Sequence, residues 1–290
     1  MEHVVDTANG RRLAVTDSGV PDGIPVIVHN GTPNSRLQYA PDVANARERG
    51  IRFITYDRPG YGESSPNPGR TVADCVEDVR AICSALNIDR VLTWGISGGG
   101  PHVLACAALL GDLVPAAAAL ASVAPWGADG LDYYAGMGEL NVEDIKLFFS
   151  DRVASRAKAE KDREEMLAAT PEQMLEVINT LVSPADAAVF TPQFAEFFVQ
   201  SVAAGLAPGT EGWYEDDVAH LGPWGFELSA ISMPVLLMHG KQDRFVPVGH
   251  GEWLAAHIPG VEARITEDDG HLTLTKLHLG EVHDWLLQHW

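Results

Sequence analysis

The segment VLTWGISGGGP, Val91–Pro101, limits the folds open to this chain more than any other stretch. A short apolar run meets glycines packed on both sides of one serine. Gly95-Ile96-Ser97-Gly98-Gly99 has the form G-x-S-x-G, with strand character before it and helix character after it. A strand that turns this sharply into a helix leaves no room for side chains at its flanking positions, and glycine relieves that crowding. The serine is then left exposed at the tip of the turn. The segment lacks the Lys-Ser/Thr ending of a phosphate-binding P-loop and the dinucleotide-binding glycine spacing.

The rest of the first half repeats the strand-then-helix pattern. RRLAVTDSG reads as an early strand, IPVIVHNG (Ile24–Gly31) as a buried one, and Ile51–Tyr56 as the next. SRLQYAPDVANARERG carries helical signals and ends at Gly50. The clearest helix starts at Thr71, where TVAD resembles a capping box with Asp in place of Glu. Val72, Cys75, Val76, Val79, Ile82, Cys83 and Leu86 then fall on one face, so Cys75 and Cys83 read as core residues. Arg90–Gly95 and the Ala-rich run before Pro125 supply further strands. Strands alternating with helices imply an α/β fold, a mostly parallel central sheet covered by helices on both faces.

From Trp126 the pattern turns helical, with a break at Thr170-Pro171, and strand character returns only at MPVLLMHG, Met233–Gly240. The organisation expected is a core of residues 1–125 and 232–290 interrupted by a helical insert of residues 126–231. VEARITEDDGH gives a last strand and LGEVHDWLLQHW a closing helix.

Length and composition narrow the function classes. The chain has 290 residues, 46% hydrophobic, enough for a sizeable core. Its formal net charge of −20 repels phosphate backbones and anionic membrane surfaces, so neither nucleic acid nor membrane is an expected partner. Cys75, Cys83 and Cys106 lack the spacing of a disulfide framework or a zinc site. No signal peptide or membrane-spanning run is apparent, and a cytoplasmic location is the expectation. No metal or cofactor is expected.

A serine hydroxyl is a weak nucleophile and needs a base, itself oriented by an acid. Of eleven histidines, His271, just past the last strand in EDDGHLTL, is the candidate base. His102 is too close along the helix after Ser97, His239 sits within a strand, and His250, His278, His283 and His289 read as helix-surface residues. Asp243, in the loop after PVLLMHG, is the candidate acid, with Asp129 as the alternative; Asp268 and Asp269 read as solvated loop charges. The Gly98 N–H, at the helix start, is placed to meet developing negative charge.

At HNGTP, YDRPGYGESS, GISGG, and the pair GKQDRFVP with DDGH, the sequence resembles the α/β-hydrolase superfamily, over nearly the whole chain. The order Ser97, Asp243, His271 is the order of that fold. The resemblance implies a second oxyanion donor from Asn30-Gly31-Thr32-Pro33: the Thr32 N–H, or that of Gly31, since Asn30 replaces the usual histidine. Asp57, Arg58 and Gly62 then hold the loop after the strand in shape. The insert matches the family's cap, with Trp126, Tyr133, Tyr134, Phe148, Phe149 and Trp224 as candidate pocket residues. The activity implied is cleavage of a small-molecule carboxylic ester of small or medium acyl length by a monomer or homodimer. Alternatives are a proline iminopeptidase-like aminopeptidase, a carbon–carbon hydrolase or perhydrolase, and a ligand-sensing pseudo-hydrolase. The insert acids Glu160, Glu164 and Glu165 read as a solvated face, which disfavours the peptidase.

Overall fold

The computed structural model describes residues 1–290. Eight strands form one sheet: β1 Glu2–Asp6, β2 Arg12–Gly19, β3 Ile24–His29, β4 Ile51–Tyr56, β5 Leu92–Ile96, β6 Ala117–Leu120, β7 Val235–Gly240 and β8 Glu262–Thr266. Their order is β1-β2-β4-β3-β5-β6-β7-β8. β1 and β2 pair antiparallel, as do β2 and β4, while every pairing from β4 through β3 to β8 is parallel. The parallel strands therefore present their C-terminal ends along one edge, where open α/β sheets place their ligands.

The helices of the core are α1 Ala40–Glu48, α2 Cys75–Ala85 and α3 Gly100–Leu109, with α10 Val248–His257, α11 Thr273–Leu277 and α12 Leu279–Gln288 near the end of the chain. Both sheet faces are apolar because both are covered. Ile27, Ile54, Leu104 and Leu237 belong to the core on one side, and Val26, Phe53, Trp94, Leu236 and Trp285 to that on the other. The Ala-rich strand β6 is fully buried along its length. Cys75 and Cys83 lie in the first core, and burial pushes both thiols up, Cys83 to about 12. The Thr71 N–H donates to the Asp74 carboxylate at 2.6 Å, so Asp does serve at the capping position of TVAD.

Between β6 and β7 lie six helices: α4 Glu139–Ser150, α5 Arg152–Ala168, α6 Pro171–Leu181, α7 Pro184–Val189, α8 Pro192–Gly205 and α9 Glu211–His220. The long helical run also breaks at Asp151, which the sequence pattern did not indicate. The Asp151 side chain accepts the N–H groups of Val153 and Ala154, both at 3.0 Å, and so starts α5 anew. The insert is fastened to the core through Tyr61, buried against Val202 and Leu206 of the α8 region. No helix is long and apolar enough to cross a membrane.

Two expectations about polar residues change. His250 and His283 are wholly buried rather than on helix surfaces. His250 accepts the Ala124 N–H at Nδ1 (3.1 Å) and donates from Nε2 to the Tyr133 carbonyl (2.9 Å). His283 bonds Asn45 at 2.8 Å beside the rings of Phe53 and Trp94. Asp269 is buried and 3.1 Å from His278, not a solvated charge.

Candidate active site

Ser97 follows β5 directly and has φ +57°, a left-handed conformation for a residue with a side chain. Such a backbone costs on the order of 1–3 kcal/mol and persists only where the surroundings enforce it. Here they do. A Cβ on Gly95 would lie 2.8 Å from the carbonyl oxygens of both Gly99 and His29, and one on Gly99 would run into the His29 carbonyl. The β3 strand end is thus pressed against the turn, and only glycine fits on either side of the serine. Ser97 itself keeps partial exposure.

The loop after β3 approaches from the other side. A Cβ on Gly31 would lie 3.3 Å from Ser97 Cβ and 3.9 Å from its hydroxyl oxygen, and one on Gly98 would strike the Thr32 hydroxyl. The backbone of residues 31–32 and that of Gly98 are therefore immediate neighbours around Ser97. The Thr32 hydroxyl is already engaged: it donates to Asp216 at 2.8 Å and accepts from Arg58 at 3.0 Å. Any oxyanion donor from Thr32 is consequently its N–H, not its side chain.

Asp243 and His271 meet. Asp243 sits just beyond β7, buried, with one carboxylate oxygen accepting the N–H groups of Phe245 and Val246 at 2.8 Å each. Its other oxygen is 2.7 Å from His271 Nδ1. A carboxylate accepts, so His271 donates from Nδ1, and Nε2 carries the free lone pair. Burial alone would lower the His271 pKa; the Asp243 carboxylate, aided by Asp186, outweighs this and raises it above the ordinary 6.5. Asp129, the alternative acid, is an exposed loop residue whose backbone carbonyl accepts from Trp253. β5, β7 and β8 run parallel, so Ser97, Asp243 and His271 all stand beyond the same sheet edge.

A buried polar network lies beside the turn, and no local sequence signal points to it. Asp216 of α9 is fully buried and accepts from Arg58 (2.5 Å), Arg70 (2.6 Å), Tyr61 (2.8 Å) and Thr32. Burial would raise its pKa; Arg58 and Arg70 outweigh that and hold it well below the carboxylate range. Arg58 also donates to the Asn30 carbonyl, so it orders the 30–32 backbone as well as its own loop. The Gly98 carbonyl accepts from two imidazoles, His102 Nδ1 at 2.9 Å and His220 Nε2 at 3.0 Å. Burial keeps both rings neutral, with the His102 pKa well below its ordinary value and His220 lowered to about 4.

His102, Asp216 and His220 bring three ligand-type side chains within 4.8 Å of one another. The donor set does not suit a cation. The carboxylate is already taken up by two guanidinium groups, whose positive charges lie against the cluster.

Five of the aromatic residues expected near the site do cluster. Trp126 packs on Tyr133, Tyr134 and Phe149, and Phe148 on Phe149. Trp224 does not join them; it is in the main core and bonds the His220 carbonyl.

A family model described as alpha/beta hydrolase fold matches residues 24–275. The AB hydrolase superfamily protein YisY of Bacillus subtilis (strain 168) is 26% identical over 274 residues, covering 93% of this chain and 92% of that protein. The 3-oxoadipate enol-lactonase 1 of Acinetobacter baylyi is 26% identical over 267 residues, covering 88% of this chain and 85% of that one. The crystal structure of a bromoperoxidase from Bacillus anthracis superposes with a TM-score of 0.72 at 20% identity, covering 100% of this chain and 99% of that one.

Proposed function

Since the chain belongs to the α/β-hydrolase fold family, we propose that it is a serine hydrolase cleaving carboxylic esters of small or medium acyl groups through an acyl-enzyme on Ser97. The observation that carries this is the pairing of His271 Nδ1 with the buried Asp243 carboxylate at 2.7 Å, beyond the same sheet edge as the strained Ser97.

The chemistry runs in two halves. Nε2 of His271 takes the Ser97 proton as the hydroxyl oxygen attacks the ester carbonyl. The Gly98 N–H and the Thr32 N–H, or that of Gly31, hold the oxyanion; one such donor is worth roughly 3–4 kcal/mol in related sites. Asp243 fixes the tautomer of His271 and stabilises its charged form. His271 gives the proton to the departing alcohol, and water, activated by the same ring, clears the acyl group. The residues 126–231 form the cap over this site, and its cluster around Trp126 and Tyr133 forms an apolar wall for the acyl chain.

A relative named as an enol-lactonase supports ester chemistry, since a lactone is a cyclic ester. The aminopeptidase reading gains no carboxylate for a substrate amine from Glu160, Glu164 or Glu165, which are exposed on α5.

The test is hydrolysis of p-nitrophenyl esters from acetate to laurate, beside a prolyl-arylamide, with Ser97→Ala as control. Ester turnover that disappears in the control is expected, and its chain-length optimum sizes the pocket. Turnover of the arylamide alone would establish the peptidase, and Ser97→Ala with wild-type ester activity would sink the mechanism. A chain silent on every substrate and not labelled by a fluorophosphonate would be a pseudo-hydrolase. Labelling without turnover would direct the search to carbon–carbon and perhydrolase substrates.

A further inference from the structure

The insert carries a carboxylate that the chemistry above does not use. Asp186 of α7 is wholly buried. One of its oxygens accepts the N–H of His271 at 2.8 Å, and the other accepts those of Leu272 at 2.7 Å and Thr273 at 3.1 Å. Three consecutive backbone donors of the loop bearing the candidate base thus converge on one side chain from another part of the fold, 85 residues away in sequence at the nearest. The fit is close. A Cβ on Gly270 would run into the Asp186 carboxylate, so the residue before His271 has to be glycine. Ser183, at the start of α7, adds a hydroxyl contact at 3.3 Å.

The same stretch reaches the loop of the candidate acid. The Val182 carbonyl accepts from Arg244 at 3.4 Å, next to Asp243. Nearer the start of the insert, the Gly138 N–H donates to the Arg244 carbonyl at 2.9 Å. Both loops that meet at the Asp243–His271 pair are therefore held from the insert side. A buried carboxylate that loses such donors is left charged and unsolvated, a strong penalty against partial separation.

We propose that Asp186 is a positioning residue for His271, which makes seating of the insert and alignment of the base a single event. It touches no substrate and acts only through the His271 backbone. An insert lifted at α7 has a misaligned base, so the chain is competent only when closed. This rests on Ser97 and His271 acting as nucleophile and base. The groups facing His271 are Asp243, Asp186 and, behind Asp243, His239, whose Nε2 is 3.7 Å from the Asp243 carboxylate. Asp186 adds its charge to those that raise the His271 pKa, so its loss moves the titration of that ring to lower pH.

The test measures the rate of fluorophosphonate labelling against pH for the full chain, for Asp186→Asn and for Ser97→Ala. This readout needs no substrate. Asp186→Asn keeps the size but loses the charge and half of the acceptors. Its labelling is expected to be slower by roughly 10- to 100-fold, with the pH midpoint displaced downward. Wild-type labelling that does not depend on Ser97 would remove the hydrolase reading itself. Labelling that depends on Ser97 but has the same rate and midpoint in Asp186→Asn would overturn the positioning role alone. Should Asp186→Asn fail to fold, hydrogen exchange of the wild-type chain decides. Segments 184–189 and 270–277 are expected to open together, and exchange rates for their protected amides differing by more than about tenfold would refute the coupling.

Discussion

Asp216→Asn is the perturbation whose cost follows most directly from the structure. The carboxylate is fully buried between Arg58 and Arg70, whose side chains are themselves only 3% exposed. Arginine does not escape by losing its proton. Replacing Asp216 by the nearly isosteric Asn therefore leaves two guanidinium charges buried without a counter-charge, and turns an amide NH2 toward donors. Removing one partner of a buried pair costs about 3–5 kcal/mol. At roughly 2–4 °C per kcal/mol, the melting temperature falls by about 6–20 °C. The assay is differential scanning calorimetry of wild type and Asp216→Asn at pH 7. Asp112→Asn serves as control, because Asp112 pairs with Arg80 on the open surface and its loss leaves the melting temperature near that of wild type. The sign with pH is fixed as well. The folded pKa of Asp216 is depressed, so its contribution is complete above the unfolded value of about 3.9 and is lost as pH falls through the folded one. An Asp216→Asn variant that melts within about 2 °C of wild type would refute the reasoning, since screening on that scale belongs to exposed pairs.

Two further outcomes follow from the Asp243–His271 geometry. Asp243→Asn replaces the carboxylate that accepts from His271 Nδ1 at 2.7 Å, so the ring loses its fixed tautomer; kcat on an ester is expected to fall roughly 10⁴-fold, and a loss under about tenfold would contradict the acid's role. The base works only when neutral, and its folded pKa is raised, so kcat/KM on an ester decreases as pH falls through a midpoint above the ordinary histidine value of about 6.5. A midpoint below that value would contradict the assignment of His271. For stability the same raised pKa works in the opposite direction: the contribution of His271 is complete below its unfolded pKa and disappears as pH rises through the folded one.

Much of the fold could be read from apolar runs. Ile51–Tyr56 and the strand opening at Ile24 lie between turn signals and are mostly buried, which is why both were visible, although the strand from Ile24 stops at His29, two residues short of the Gly31 read from the sequence. β1 was not, because EHVVD at the sheet edge is largely exposed and short. α7 escaped because six residues span less than two helical turns and give no period. His250 and His283 were misplaced because an isolated polar residue on a helix reads as surface, whereas these two are buried by bonds to distant partners.

The candidate site divides along the same line. Ser97, Asp243 and His271 each sit just beyond a strand in a distinctive local setting, so their positions were legible, and the Asp243–His271 contact follows from a parallel sheet. The groups around them were not. Arg58 and Asp216 are 158 residues apart, and nothing near either marks the other. Asp186 in PADAAV looks like any short-helix acid; only the three-dimensional arrangement places it under the His271 backbone.

The central claim is that Ser97 is the nucleophile. Peptide mapping by mass spectrometry after reaction of the folded chain with a fluorophosphonate tests it most directly. One phosphonylated residue, Ser97, within the peptide containing GISGGG, is the predicted result. A chain that hydrolyses esters while the label falls on another residue, or on none, would contradict it.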